Sequence, residues 1–419
     1  MSLLHDLIQF ATLSKFDRLN NYRTNPIVLG PNLFEQYQNT FKSVYRKDKP
    51  DCIFFTDLGA LDKDFDDTAA LLCLLSAHFR GLINLKSVVT NFFGISGAES
   101  ANMLNCLTNS HFRVVQGVFE ENDAHKYTNF YPFLRKDRFL KEDFYLALDV
   151  MVEEIISSPN KTLVFCTTGV TETLLLVQEL EKEFLAGRTD IWEKVEFHFQ
   201  NMANIDDDGE FNWNLDISDP LCGANTKYDP MSATSLSKYI KLYDLQVVLT
   251  TKHLAMATKP NPGFWDGMKG ISPIGDYLYE HRRDCAQHWW KTAKHGDGSQ
   301  LESPKGMPRA IVWKIFFQGT LGDDDGVYTR HDNMLPYLGD GESPLYDPLS
   351  IMAGLNPFQF TPTVSKSGNQ IVFGNNAQDT GLISHRYTLD ELQSFALDGV
   401  RLMPNYIGTN IDAKALMYC

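Results

Sequence analysis

The feature that most constrains this chain is its repeated alternation of short apolar runs with helix-length segments. "DCIFFTD" (51–57) is an apolar run that closes on turn residues, as a strand buried on both faces does. "DDTAALLCLLSAHF" follows it with the length and composition of a helix. "INLKSVVTN" reads as a second strand, and "ISGAESANMLNCLTNS", opened by Ser96 and Gly97, as a second helix. "FRVVQGV" and "TLVFCTTG" are further strands, the latter leading into the helix "TETLLLVQELEKEF". "KVEFHFQNM" and "LQVVLTT" complete the series. Strands separated by helices cannot pair as hairpins, so the expected fold class is α/β, with a mostly parallel central sheet flanked by helices. In such sheets ligands bind at the carboxyl ends of the strands.

That rule directs attention to the end of the first strand. Between "DCIFF" and the helix stand five aspartates: Asp57, Asp62, Asp64, Asp66 and Asp67. Asp57 closes the strand and so faces the crevice. Asp66 and Asp67 open the helix, where negative charge is tolerated. The segment has two readings from these residues alone: a solvated acidic loop that caps a helix, or a site for a hard divalent cation, which takes several carboxylate oxygens and main-chain carbonyls.

Charge and cysteine usage exclude other classes. The 419-residue chain carries a formal charge of −15, with pI near 5.2, and has no basic cluster. Such a chain repels phosphate backbones, so nucleic acid is not an expected partner. Seven scattered cysteines without a CxxC pair read as buried, reduced thiols in a cytoplasmic protein. No run approaches the ~20 apolar residues of a membrane span, and the N-terminus is a poor signal peptide. Residues 1–50 read as an N-terminal extension of short helices, and residues 51–419 as one domain. That domain is interrupted at about 259–306 by a segment rich in Gly, Pro, Trp and charge. Trp265, Trp289, Trp290, His281, His288 and His295 of this insertion could close over a ligand as a lid or form a small core.

Several separated segments resemble, in order, those of the inosine–uridine-type nucleoside hydrolase family. "FFTDLG…DFDDTAALLCLL" is similar to that family's Asp-rich strand end, and "SVVTN" to its second strand ending in Asn. "FCTTGVTETLLLVQEL" resembles its Thr-Gly-Pro-Leu-Thr-Asn loop and helix. "NIDDDGEFNWNLDISDP" is similar to its Asn-x5-Glu-Phe-Asn segment, and "SPLYDPLSIMAGLNP" to its Pro-x-His-Asp-Pro-Leu segment. The resemblance spans about residues 51–355.

What it implies is hydrolysis of the N-glycosidic bond of ribonucleosides to free base and ribose. A Ca²⁺ ion would be held by Asp57, Asp67, Asp347 and the main-chain carbonyl of Thr168, and would activate a water. Asp57 would be the general base. Asp66, Asn91 and Asn212 would accept or donate hydrogen bonds at the ribose hydroxyls, with Asp347 beside them. Asn204 and Glu210 would hold the 5′ end, and Phe211 would pack by the ribose. The expected partner is a small nucleoside, and the resemblance suggests a homodimer or homotetramer. Each residue also has an ordinary structural alternative: Asn91, Asn204 and Asp347 all suit turns.

Three departures qualify the resemblance. The loop from Asp57 to Asp66 is longer than the family's, so Asp62, which has the usual spacing to Asp66 and Asp67, stands as a reserve metal ligand. Tyr346 replaces the histidine that protonates the leaving base in many members; a tyrosine, with an ordinary pKa near 10, can donate a proton or stack on the base, which weakly favours purine nucleosides. Residues 1–50 and 259–306 have no counterpart. The departures motivate an alternative, a catalytically degenerate protein of the same fold that binds a nucleoside or ribosyl compound without turnover. A phosphatase with a strand-end nucleophile is disfavoured, because Asp-Leu-Gly stands where Asp-x-Asp is wanted.

Overall fold

The computed structural model describes residues 49–58, 65–92, 95–108, 110–120, 144–219, 221–260, 262–292, 312–313, 344–356, 360–382 and 385–402. Asp62, Asp64, His295 and the extension up to residue 48 lie outside the described residues, as do the side chains of His288 and Trp289.

The expected alternation is present. Strand β1 (Asp51–Thr56) leads to helix α1 (Asp66–Phe79), β2 (Asn84–Phe92), α2 (Ile95–Thr108) and β3 (Arg113–Glu120). Helix α3 (Phe144–Ser157) precedes β4 (Thr162–Cys166), which leads to α4 (Thr171–Leu185) and, through a single 3₁₀ turn, to β5 (Val195–Gln200). Two three-residue strands, β6 (Ala203–Ile205) and β7 (Phe211–Trp213), form a separate hairpin. Helices α5 (Ala224–Tyr228) and α6 (Pro230–Tyr243), strand β8 (Val247–Thr250) and helices α7 (Lys252–Ala257), α8 (Pro262–Asp266) and α9 (Pro273–Thr292) follow. The described chain ends with α10 (Tyr346–Leu355), β9 (Pro362–Val364), β10 (Gln370–Phe373) and α11 (His385–Arg401).

Eight strands make one sheet in the order β3-β2-β1-β4-β5-β8-β10-β9. Every pairing is parallel except β10 with β9. Side-chain alternation along each strand feeds two cores. Cys52, Phe54 and Phe165 join a cluster with α1, α10 and α11, whereas Ile53, Phe55 and Phe197 join one with α3, α4 and α6. Both faces are therefore covered, which is why β1 and β4 read as unbroken apolar runs. Trp265 and Trp290, from the segment read as an insertion, are fully buried in the first cluster. Burial there accounts for both rings as core residues.

The strand order also locates a crevice. The chain leaves β1 outward through β2 to β3, then returns to the other side of β1 with β4. The order thus reverses between β1 and β4, and the carboxyl ends of these two strands border the switch point where α/β sheets bind ligands. Their register is close: Phe55 lies opposite Cys166, and Thr167 N–H donates to the Phe55 carbonyl at 3.0 Å.

Candidate active site

At this crevice the structure brings together three carboxylates from two distant parts of the chain. Oxygens of Asp66, Asp67 and Asp347 all lie within 4.8 Å of one another, and the three residues are 3%, 1% and 5% exposed. Asp66 and Asp67 open α1, and Asp347 is the second residue of α10. Helix starts are where carboxylates sit well, because unpaired N–H groups point outwards there. Three carboxylates this close repel unless donors, protons or a cation offset them.

Two of the offsets are visible. Thr56, at the end of β1, donates its hydroxyl to Asp67 Oδ1 and accepts the Leu58 N–H at 3.2 Å. Asp66 Oδ2 accepts the backbone N–H groups of Tyr346, at 2.9 Å, and Asp347, at 3.3 Å. Asp66 thus caps the helix that carries Asp347, from 280 residues away. The donor set is all hard oxygen, buried, and drawn from rigid elements. That suits Ca²⁺ or Mg²⁺ and not a soft metal.

The other expected residues fall into three groups. Asp57 is half-buried at the exit of β1 and is not a member of the trio. It lies near Cys166: burial is the main reason that thiol is pushed up to about 12, and the charges of Glu172 and Asp57 add to it.

Asn91 and Thr168 meet each other, fully buried, at the ends of β2 and β4. Thr168 Oγ1 donates to Asn91 Oδ1 at 2.6 Å. Asn91 Nδ2 donates to the Gly169 carbonyl at 3.2 Å and to Glu172 Oε2 at 2.8 Å. Glu172, in the first turn of α4, is a site residue that sequence reasoning missed. An acidic residue in a first turn is an ordinary complement to the helix dipole, and nothing local announces that this one is fully buried.

The third group rides on the β6–β7 hairpin after β5. Asn204 pairs with Asn212, so both stand on one face, while Ile205, Phe211 and Trp213 turn inwards. Asn204 and Glu210 are exposed and Asn212 is half-buried. Asn212 Nδ2 donates to Asp206 Oδ2 at 2.9 Å, and Asp206 Oδ1 also accepts the Glu210 N–H at 2.9 Å. That set of donors, the Glu210 N–H first, holds the Asp206 carboxyl below its ordinary pKa. The Phe211 ring is 4% exposed and packs in the core with Phe199 and Trp213, which anchors the hairpin.

Tyr346 is half-buried at the first position of α10, and its hydroxyl lies 3.6 Å from Met256 Sδ, a weak acceptor. Among the described residues no helix is long and apolar enough to cross a membrane.

No protein-family model matches the chain, and no curated protein matches it. Solved structures do match in fold. The type III effector protein XopQ, complexed with adenosine diphosphate ribose, aligns with a TM-score of 0.62 at 19% identity, over 89% of this chain and 99% of that one. A purine-preferring ribonucleoside hydrolase from Gardnerella vaginalis aligns at 0.52 and 12% identity, over 84% and 99%. The plant nucleoside hydrolase PpNRh1 aligns at 0.50 and 13% identity, again over 84% and 99%. At these identities the likeness is one of fold. The chain has the nucleoside-hydrolase-like α/β architecture, with a buried carboxylate trio at the switch point of its sheet.

Proposed function

We propose that this crevice binds a ribonucleoside and hydrolyses its N-glycosidic bond, releasing base and ribose. The observation that carries the reading is the meeting of Asp66, Asp67 and Asp347 at the β1–β4 switch point. In this reading Asp67, Asp347, Asp57 and the Thr168 carbonyl hold Ca²⁺. When bound, the cation supplies positive charge that lowers the pKa of a nearby water and orients it. Asp57 takes the water's proton, as a half-buried carboxylate at the crevice can. Asp66 and the hairpin residues Asn204, Glu210 and Asn212 supply hydrogen bonds to ribose hydroxyls, each of which needs a partner once buried. Phe211 serves the ribose by holding the hairpin, since its ring is in the core. Cleavage of such a bond passes through a cation-like sugar, which neighbouring carboxylates stabilise. Tyr346, in place of a histidine, weakly favours purine bases through its ring.

A second reading has its own support: a protein that holds a nucleoside or related ribosyl compound without turnover. The Tyr346 hydroxyl is turned onto a thioether, and Asn91 is committed to Thr168 and Glu172. The fold match to an effector complexed with adenosine diphosphate ribose supports the same direction.

One experiment separates the two. Purified full-length protein is incubated with Ca²⁺ and each common ribonucleoside, and free ribose is measured alongside calcium binding. The hydrolase reading expects ribose release that chelator stops, and expects Asp347→Ala to remove both calcium binding and release without unfolding the chain. Bound calcium and bound nucleoside with no ribose from any substrate would leave the binding protein.

A further inference from the structure

Glu172 is a buried carboxylate to which the proposed chemistry gives no role, and its surroundings are specific. Residues of β2, β3 and the turn after β4 surround it. Asn91 at the end of β2 donates Nδ2 to its Oε2 at 2.8 Å. Gly117 in β3 makes room for it: a Cβ at 117 would lie 2.4 Å from Glu172 Oε1 and 2.9 Å from its Cδ. Residue 172 itself opens the helix that follows the β4 turn.

A carboxylate accepts hydrogen bonds, so Asn91 must present its Nδ2 to Glu172. The second Nδ2 hydrogen goes to the Gly169 carbonyl at 3.2 Å, and Oδ1 is left to accept the Thr168 hydroxyl at 2.6 Å. The amide of Asn91 is thereby locked in one orientation and ties the 167–170 turn at two points. Asn225 ties it at a third, donating Nδ2 to the Thr167 carbonyl at 3.0 Å. Buried chains of this kind polarise and stiffen one another.

We propose that Glu172 is a positioning residue: acting through Asn91, it fixes the turn after β4, which Thr167 ties to the end of β1, and so sets the affinity of the crevice's carboxylate site for a divalent cation. The effect on the cation rests on the proposed function, which gives the Thr168 carbonyl to Ca²⁺. The geometric effect on the turn does not. Groups that orient ligands from behind typically change metal affinity by about 10- to 100-fold when removed.

The test compares the parent with Glu172→Ala, Glu172→Gln and Gly117→Ala. Two readouts are taken on the full chain: hydrogen exchange of the peptide covering 166–173, and Ca²⁺ affinity by calorimetry. Glu172→Ala should speed exchange in that peptide and weaken Ca²⁺ by about 10-fold or more. Glu172→Gln keeps an acceptor for Asn91 and should restore both to within about threefold. Gly117→Ala removes no polar group but pushes the carboxylate away and crowds Asn91 Cβ at 3.1 Å, so it should follow Glu172→Ala; it also serves if the alanine variant fails to fold. Exchange at the parent's rate in both Glu172→Ala and Gly117→Ala would overturn the proposal. So would faster exchange with unchanged Ca²⁺ affinity, which would leave Glu172 a stabilising residue only. A parent that binds no Ca²⁺ would sink the cation reading of the site, while exchange would still decide whether Glu172 holds the turn.

Discussion

One oxygen of Asp66, Oδ2, accepts the N–H groups of both Tyr346 and Asp347, at 2.9 and 3.3 Å. This contact joins the start of α1 to the start of α10 and sets Asp347 beside Asp67. Asp66→Ala should cost about 2 kcal/mol of stability, the usual scale for losing a helix cap together with a buried charged acceptor. Asp66→Asn keeps one acceptor oxygen and should cost less. Urea unfolding of the parent and both variants checks the order; midpoints equal to the parent's would show that the cap contributes nothing.

Thr56 is fully buried and serves Asp67 and the Leu58 N–H at once. Thr56→Val keeps the shape and removes both bonds. It should destabilise by about 1–3 kcal/mol, because a buried carboxylate and a backbone donor each lose a partner. It should also weaken Ca²⁺ by about 10-fold, as expected for a group behind a ligand. Denaturation and calorimetry on one preparation measure both.

Cys52, Cys73, Cys166, Cys222 and Cys285 are free and buried. Burial pushes Cys73 and Cys166 up to about 12 and Cys52 well above its ordinary value. A thiol reacts as its thiolate, and at pH 8 the thiolate fraction near that pKa is on the order of 10⁻⁴. Native protein should therefore resist a thiol reagent at these three positions for hours, and denatured protein should label at once. Peptide mapping reads the difference; rapid native labelling of Cys166 would contradict its place beneath the 167–170 turn.

Two histidines make stability depend on mild acid. Burial lowers the pKa of His253 from its ordinary 6.5, and burial with the charge of Lys49 lowers that of His78. His78 Nδ1 accepts the Leu85 N–H at 3.2 Å, a bond that protonation there would break. The folded values lie below the unfolded one, so the unfolded chain binds more protons between them. Stability therefore rises with pH through that window and is lost as pH falls below about 6.5. Melting temperatures at pH 7.5 and 5.5 should show the fall, and His78→Gln should flatten it.

Much of this fold is legible before any coordinates. Six parallel strands announce themselves by short apolar-rich segments between helix-length ones, and burial on both faces makes "DCIFF" and "TLVFC" unbroken apolar runs. The pieces that hide are short. The β6–β7 hairpin and β9 have three residues each, too few for any period to register. The same divide runs through the site. Asp66 and Asp67 stand out because they open a helix just after a strand end, whereas Asp347 looks like a turn residue by itself and stands out only through the resemblance of "SPLYDPL" to a nucleoside hydrolase segment. The ties of Asn91 are invisible, because its partners Thr168 and Glu172 lie 77 and 81 residues away. Local residue types say that Asn91 ends a strand, and only the sheet order says whom it meets. The capping of α10 by Asp66 hides for the same reason.

The carboxylates at the β1–β4 switch point are proposed here as a cation-assisted ribose site. A crystal structure of the full chain grown with Ca²⁺ and ribose tests it most directly. A calcium ion is expected about 2.3–2.6 Å from oxygens of Asp67 and Asp347, with ribose hydroxyls hydrogen-bonded to Asp66. Ribose bound elsewhere, or a trio that stays empty of calcium at saturating concentration, would contradict it.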